Sequence, residues 1–144
     1  MNEEFETIKD QLAGLELSYA WRGHGSAIFL EFGKLDHNTG KNNPIGEFSL
    51  MLDCEWRIEN SNQILCGSYR SHDEIEKEIH GLVGDQLVNL EFMGNLPEIS
   101  IALASQKYVV SFTSDVGDPE WGLRLPSGSW LCSKGGSVVL DKRA

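Results

Sequence analysis

The feature that most constrains this chain is that it carries one pattern twice. Asp53-Cys54-Glu55-Trp56-Arg57-Ile58 matches Asp118-Pro119-Glu120-Trp121-Gly122-Leu123 at an offset of 65 residues, and Leu65-Cys66 matches Leu131-Cys132 at 66. Upstream, Leu12-Ala13-Gly14-Leu15-Glu16-Leu17 matches Leu82-Val83-Gly84-Asp85-Gln86-Leu87 at 70. Ile28-x-Leu30-x-Phe32 matches Ile99-x-Ile101-x-Leu103 at 71. The matches keep their order while the offset drifts, which is how two copies with unequal loops behave. The extra length in the first copy lies between Lys34 and Gly46, rich in Asn, Gly and Lys. The expected organisation is one domain over residues 1–144, made of two repeats of about 1–70 and 71–144 that share a core with pseudo-two-fold symmetry. The chain is of ordinary single-domain length and can bury a core without disulfide or metal.

Each copy opens with a helix pattern. Ser71-His72-Asp73-Glu74 has the form of a capping box. Ile75, Ile79 and Leu82 then fall on one face, and Gly81 and Gly84 supply an end signal. In the first copy Phe5, Ile8 and Leu12 form the stripe and Gly14 ends it. The remainder reads as strands. From Phe48 to Ile58 every second residue is apolar, with Ser49, Met51, Asp53, Glu55 and Arg57 between, predicting one long strand with a solvated face that carries Asp53 and Glu55. In the second copy the matching stretch is interrupted by Asp115-Val116-Gly117-Asp118-Pro119, where a loop, bulge or edge is expected. Short turns, rather than helical crossovers, separate the strand patterns, so the expected class is α+β with mainly antiparallel sheet and two short helices packed on one side.

The chemistry of the side chains excludes more than it assigns. None of the four histidines pairs with another His or with Cys at ligand spacing, so no metal is expected. The three cysteines form no CxxC, and the alternation places Cys54 on an apolar strand face as an inert core thiol. Gly23-His24-Gly25-Ser26 brings His and Ser close, but Gly-rich punctuation between two strand patterns reads as a hairpin turn. No phosphate-binding glycine loop occurs, and no cofactor is expected. Twenty-two acids against twelve bases give a formal charge of −10, which argues against nucleic acid and anionic membrane as partners and favours a basic one. No apolar run is long enough to span a bilayer, and the acidic N-terminus lacks the pattern of a signal peptide, so a cytoplasmic location is expected.

With these strands in view, Ile28-Phe29-Leu30-Glu31-Phe32-Gly33 and Asp53-Cys54-Glu55-Trp56-Arg57-Ile58 among them, the chain resembles small bacterial proteins of uncharacterised families, some of them similar to the immunity proteins of bacterial toxin systems. The resemblance lies in size, acidity and layout, and it assigns no residues. It implies tight, inhibitory binding to one toxin domain. The residues that would meet such a basic partner are Asp53, Glu55, Asp115, Asp118 and Glu120, with Trp130 as an aromatic anchor. Two other readings stay open. One is a secretion or folding chaperone. The other is a hydrolase that uses the paired carboxylates Asp53/Glu55 and Asp118/Glu120.

Overall fold

The computed structural model describes residues 2–115 and 120–142. The elements run α1 (Asn2–Leu12), β1 (Leu17–Arg22), β2 (Ile28–Phe32), β3 (Phe48–Leu52), β4 (Glu55–Glu59), β5 (Ile64–Gly67), α2 (His72–His80), β6 (Leu87–Met93), β7 (Glu98–Leu103), β8 (Tyr108–Phe112), β9 (Trp121–Arg124), β10 (Trp130–Lys134) and β11 (Ser137–Asp141). The described residues are mostly strand, in two antiparallel sheets. One sheet has the order β1-β2-β3-β9-β10-β11 and the other β5-β4-β8-β7-β6. No helix among the described residues is long and apolar enough to cross a membrane.

Each sheet draws strands from both halves of the chain. The β4–β5 hairpin leaves its own upstream strands and pairs through β4 with β8, while the β9–β10 hairpin crosses the other way and pairs through β9 with β3. The single strand expected over Phe48–Ile58 is therefore two strands in two sheets, broken at Asp53-Cys54. The alternation survives the break because Leu52 and Trp56 both point into the core that the sheets share. Parity alone cannot tell a continuous strand from one that changes sheet across an even step.

The ends of the sheets meet around a reciprocal set of backbone bonds. Gly14 N donates to Leu87 O and Gly84 N to Leu17 O, both at 2.8 Å. Leu17 N donates to Asp85 O at 2.7 Å, and Leu87 N to Leu15 O at 2.9 Å. Both glycines have positive φ, +87° and +99°, a conformation that a side chain strains. β1 and β6 also carry the same irregularity, between Leu17 and Tyr19 in one and between Leu87 and Asn89 in the other.

The helices form as their patterns indicate. Ile75 and Ile79 are fully buried in α2, which lies against β1 and β5, and Ile8 and Leu12 are buried in α1, which lies against β6. The Ser71 hydroxyl accepts from Glu74 N at 3.3 Å and donates to the Glu74 carboxylate at 2.9 Å. These bonds, the Ser71 hydroxyl first, hold the Glu74 carboxyl below its usual range. Phe5 of α1 stacks on Phe92 of β6, with centroids 4.2 Å apart, and Phe92 reaches Trp121 across the core.

The two repeated tryptophans have a shared mechanical role. Trp56 Nε1 donates to Ser26 O at 2.8 Å, and Trp121 Nε1 donates to Pro97 O at 3.2 Å. In each case a buried indole in one sheet ties down the turn of a hairpin in the other, which gives its single N–H a partner inside the core.

Candidate functional site: the acidic seam between the sheets

The two segments that cross between sheets run side by side. Asp53 N donates to Glu120 O at 2.9 Å, so the chain leaving β3 is fastened to the chain entering β9. Asp53 and Asp115 are exposed at this seam, and Glu55 opens β4 half-buried beside them. Glu55 accepts from the Ser114 hydroxyl and from Tyr69 OH, the latter at 2.8 Å. These bonds, Ser114 first, lower the Glu55 pKa, and Glu55 in turn raises that of Tyr69. Glu98 of β7 joins the seam by accepting from Ser111 Oγ, Thr113 N and Thr113 Oγ1 at 2.7–3.0 Å.

Two shallow clefts of about 310 and 300 Å³ flank the seam and share Thr113, Ser114, Asp115 and Glu120. Asp53, Cys54, Glu55 and Tyr69 complete one; Glu98, Ser133 and the Gly135-Gly136 turn help to line the other. Among the described residues, neither lining includes Lys or Arg. Arg57, two residues on from Glu55, pairs with Glu59 and lies over the Phe112 ring. Arg124 donates to Leu125 O, away from the seam.

The structure thus brings Asp53, Glu55, Asp115 and Glu120 together. It places them differently from the solvated strand faces expected of the sequence: Asp53 lies in a crossover, and Glu120 is buried, with Ser133 Oγ donating to its Oε2 at 3.3 Å. Asp118, with the loop expected around it at residues 116–119, lies outside the described residues. Trp130 is elsewhere, at the far end of β10 from Ser133, half-buried on the outer face of the six-stranded sheet.

Cys54 sits in the crossover rather than on a strand. Burial, followed by the charge of Glu98, pushes its thiol up to about 12. It is protonated at neutral pH and is no nucleophile there. The Gly23–Ser26 segment is the β1–β2 turn: Gly23 N donates to Ala27 O, His24 is exposed, and the Ser26 carbonyl is taken by Trp56. All four histidines are exposed, and among the described residues no three His, Cys, Asp or Glu side chains could hold a metal.

One carboxylate escapes the sequence pattern. Glu31 occupies a polar position of β2 yet is 1% exposed. Trp21 Nε1 donates to its Oε2 and Gly46 N to its Oε1, each at 2.9 Å, and the Ser49 hydroxyl also donates to Oε1. The loop that leads into β3 covers it, with Gly46 so close that a Cβ would lie 2.6 Å from Phe32 O. The only sequence signal is Gly46 itself, placed where the backbone has to approach a strand.

Compared with known proteins, the chain matches no family model, no curated protein and no solved structure.

Proposed function

We propose that this chain is a non-enzymatic binding domain that presents the acidic seam to a basic protein surface, in the manner of an immunity-type inhibitor of a bacterial toxin. The observation that carries the reading is the seam itself. Two crossovers and the start of β7 gather five carboxylates, Asp53, Glu55, Glu98, Asp115 and Glu120, around clefts with no Lys or Arg among the described lining residues. Hydrogen bonds from Ser114 and then Tyr69 lower the Glu55 pKa, which suits a charge contact better than the proton donor a hydrolase needs. The seam rests on two crossovers fastened to each other, so its charges are placed before a partner arrives.

The test is stopped-flow association with a panel of basic bacterial toxin domains, starting with nuclease domains. Steered association slows by about tenfold or more between low and high salt, and Asp53→Asn with Glu55→Gln flattens that dependence. An association rate indifferent to salt sinks the proposal.

The architecture also supports an internal duplication. The reciprocal bonds Gly14 to Leu87 and Gly84 to Leu17, the paired irregularities of β1 and β6, and the two indole ties all recur at the offsets of the sequence repeat. On this reading two ancestral copies exchanged their C-terminal hairpins, and the acidic seam is where the two exchanges cross.

A further inference from the structure

The exposed apolar side chains of this chain are unevenly placed. Among the described residues the two most exposed large ones are Tyr69, 87% exposed, and Leu96, 71% exposed. Single apolar residues scattered over a surface are ordinary. These two are not scattered. Tyr69 lines one of the clefts that flank the acidic seam and Leu96 lines the other, and the two clefts share Thr113, Ser114, Asp115 and Glu120. Neither side chain belongs to the core, so packing does not explain why these positions are apolar.

Both are carried on fastened backbone. Tyr69 lies between β5 and α2, where Ser68 N donates to Trp56 O at 3.0 Å and Arg70 N to Gly67 O at 3.1 Å. Its hydroxyl donates to Glu55 at 2.8 Å, which orients the ring beside the seam. Leu96 lies in the β6–β7 turn, and the carbonyl of the next residue, Pro97, takes the N–H of the buried Trp121. Gly136 of the β10–β11 turn approaches Leu96 so closely that a Cβ there would lie 3.0 Å from Leu96 Cδ2. Side chains that are exposed yet already positioned lose little freedom when a partner covers them.

The apolar surface continues past the seam. A third cleft shares Glu55, Ser68 and Tyr69 with the first and adds Ile64 and Phe112, both exposed. Its two bases are already paired, Arg57 with Glu59 and Arg70 with Glu74. A partner at the seam therefore meets carboxylates set among apolar contacts.

Building on the proposed role of the seam, we infer that Tyr69 and Leu96 are the anchoring contacts of that surface, and that its occupant is a protein segment in which apolar side chains flank a lysine or arginine. The carboxylates attract and orient the segment, and Tyr69 and Leu96 hold it by covering its apolar side chains. A segment that is basic without apolar neighbours satisfies the charges and leaves both anchors in water. An apolar segment without a base covers the carboxylates without pairing them, at a cost in desolvation.

Selection from a displayed library of short random peptides on the immobilised full chain tests this. Peptides with Lys or Arg flanked by apolar residues should be enriched. A selected peptide, titrated by fluorescence anisotropy, should bind Tyr69→Ser and Leu96→Ser each about tenfold or more weakly. Both anchors are exposed, so neither substitution disturbs the core. Val88→Ser removes an exposed apolar side chain of β6 that lines none of the three clefts, and should leave the affinity unchanged. A library that yields no peptide overturns the inference, as do selected peptides that are apolar without a base or basic without apolar neighbours. So does an affinity that survives either Tyr69→Ser or Leu96→Ser. The seam itself is read separately, since Asp53→Asn with Glu55→Gln should remove the enrichment of bases and keep that of apolar residues. Bases that persist in that variant strike the seam's role and the inference with it, whereas apolar selection that persists in the Tyr69 and Leu96 variants strikes the anchors alone.

Discussion

Burial sets the chemistry of Cys54. A thiol pushed up to about 12, against an ordinary 9.0, is ionised at pH 8 in about one molecule in ten thousand rather than about one in ten. In a variant with Cys66 and Cys132 replaced by serine, modification of Cys54 by a disulfide reagent at pH 8 is expected to run orders of magnitude slower than that of the unfolded chain. Equal rates would show that the crossover opens freely. Glu31 is a different case, a carboxylate whose burial is offset by three donors. Glu31→Ala leaves those donors without their acceptor, and a buried one costs about 1–3 kcal/mol, so chemical denaturation should show a loss of about 2 kcal/mol or more. Glu31→Gln turns an N–H₂ towards groups that themselves donate and should recover only part of it. Alternation placed Glu31 outward, correctly for its side of the sheet. It could not show the loop that closes over it, because that cover comes from residues in no regular register with β2.

At the scale of elements, most of the strands and both helices were legible, because period-two runs bounded by Gly and short polar turns, and a capped apolar stripe, reflect local physics. The crossing of strands between the sheets was not. Leu50, Leu52, Trp56 and Ile58 are all buried, and nothing in their spacing records that the first two belong to one sheet and the last two to the other. For the same reason the acids of the repeated Trp unit read as two separate solvated faces, whereas the crossing brings them to one seam. The cross-pairing has a direct consequence. If the chain is cut between Arg70 and Ser71, neither fragment retains a complete sheet, since β4 pairs with β8 and β3 with β9. The separate fragments 1–70 and 71–144 are expected to show little ordered sheet by circular dichroism, and to recover it on mixing as a one-to-one complex. A fragment that gains its full sheet signal alone would mean that the hairpins can return to their own strands. The α2 cap is more local: Ser71→Ala should cost about 1 kcal/mol. It should also let the Glu74 pKa rise towards its ordinary 4.5, followed by NMR titration. Because the folded pKa is the lower one, any stability linked to Glu74 is present above pH 4.5 and fades as the pH falls below it.

For the whole molecule, interlocked sheets and one continuous core leave no boundary along which half of the structure could melt. Leu50 lies in the six-stranded sheet and Ile101 in the five-stranded one, and both sit in the same buried cluster. Leu50→Ala and Ile101→Ala each remove several buried methyl groups, at a cost of about 2–5 kcal/mol. If the sheets were separate cooperative units, each substitution would shift one transition and leave the other in place. With the strands exchanged, a sheet that opens takes its neighbour's hairpin with it, so both substitutions should move a single transition. Two buried probes distinguish the cases, since Trp56 reports from the five-stranded sheet and Trp121 from the six-stranded one. In variants keeping one of these indoles as the sole tryptophan, with Trp21, Trp130 and the other buried indole replaced by phenylalanine, urea unfolding followed by fluorescence should coincide with unfolding followed by far-ultraviolet circular dichroism. Two separated transitions, with Leu50→Ala moving only the Trp121 signal, would show that the sheets are held together by their covalent crossings alone and not by a common core.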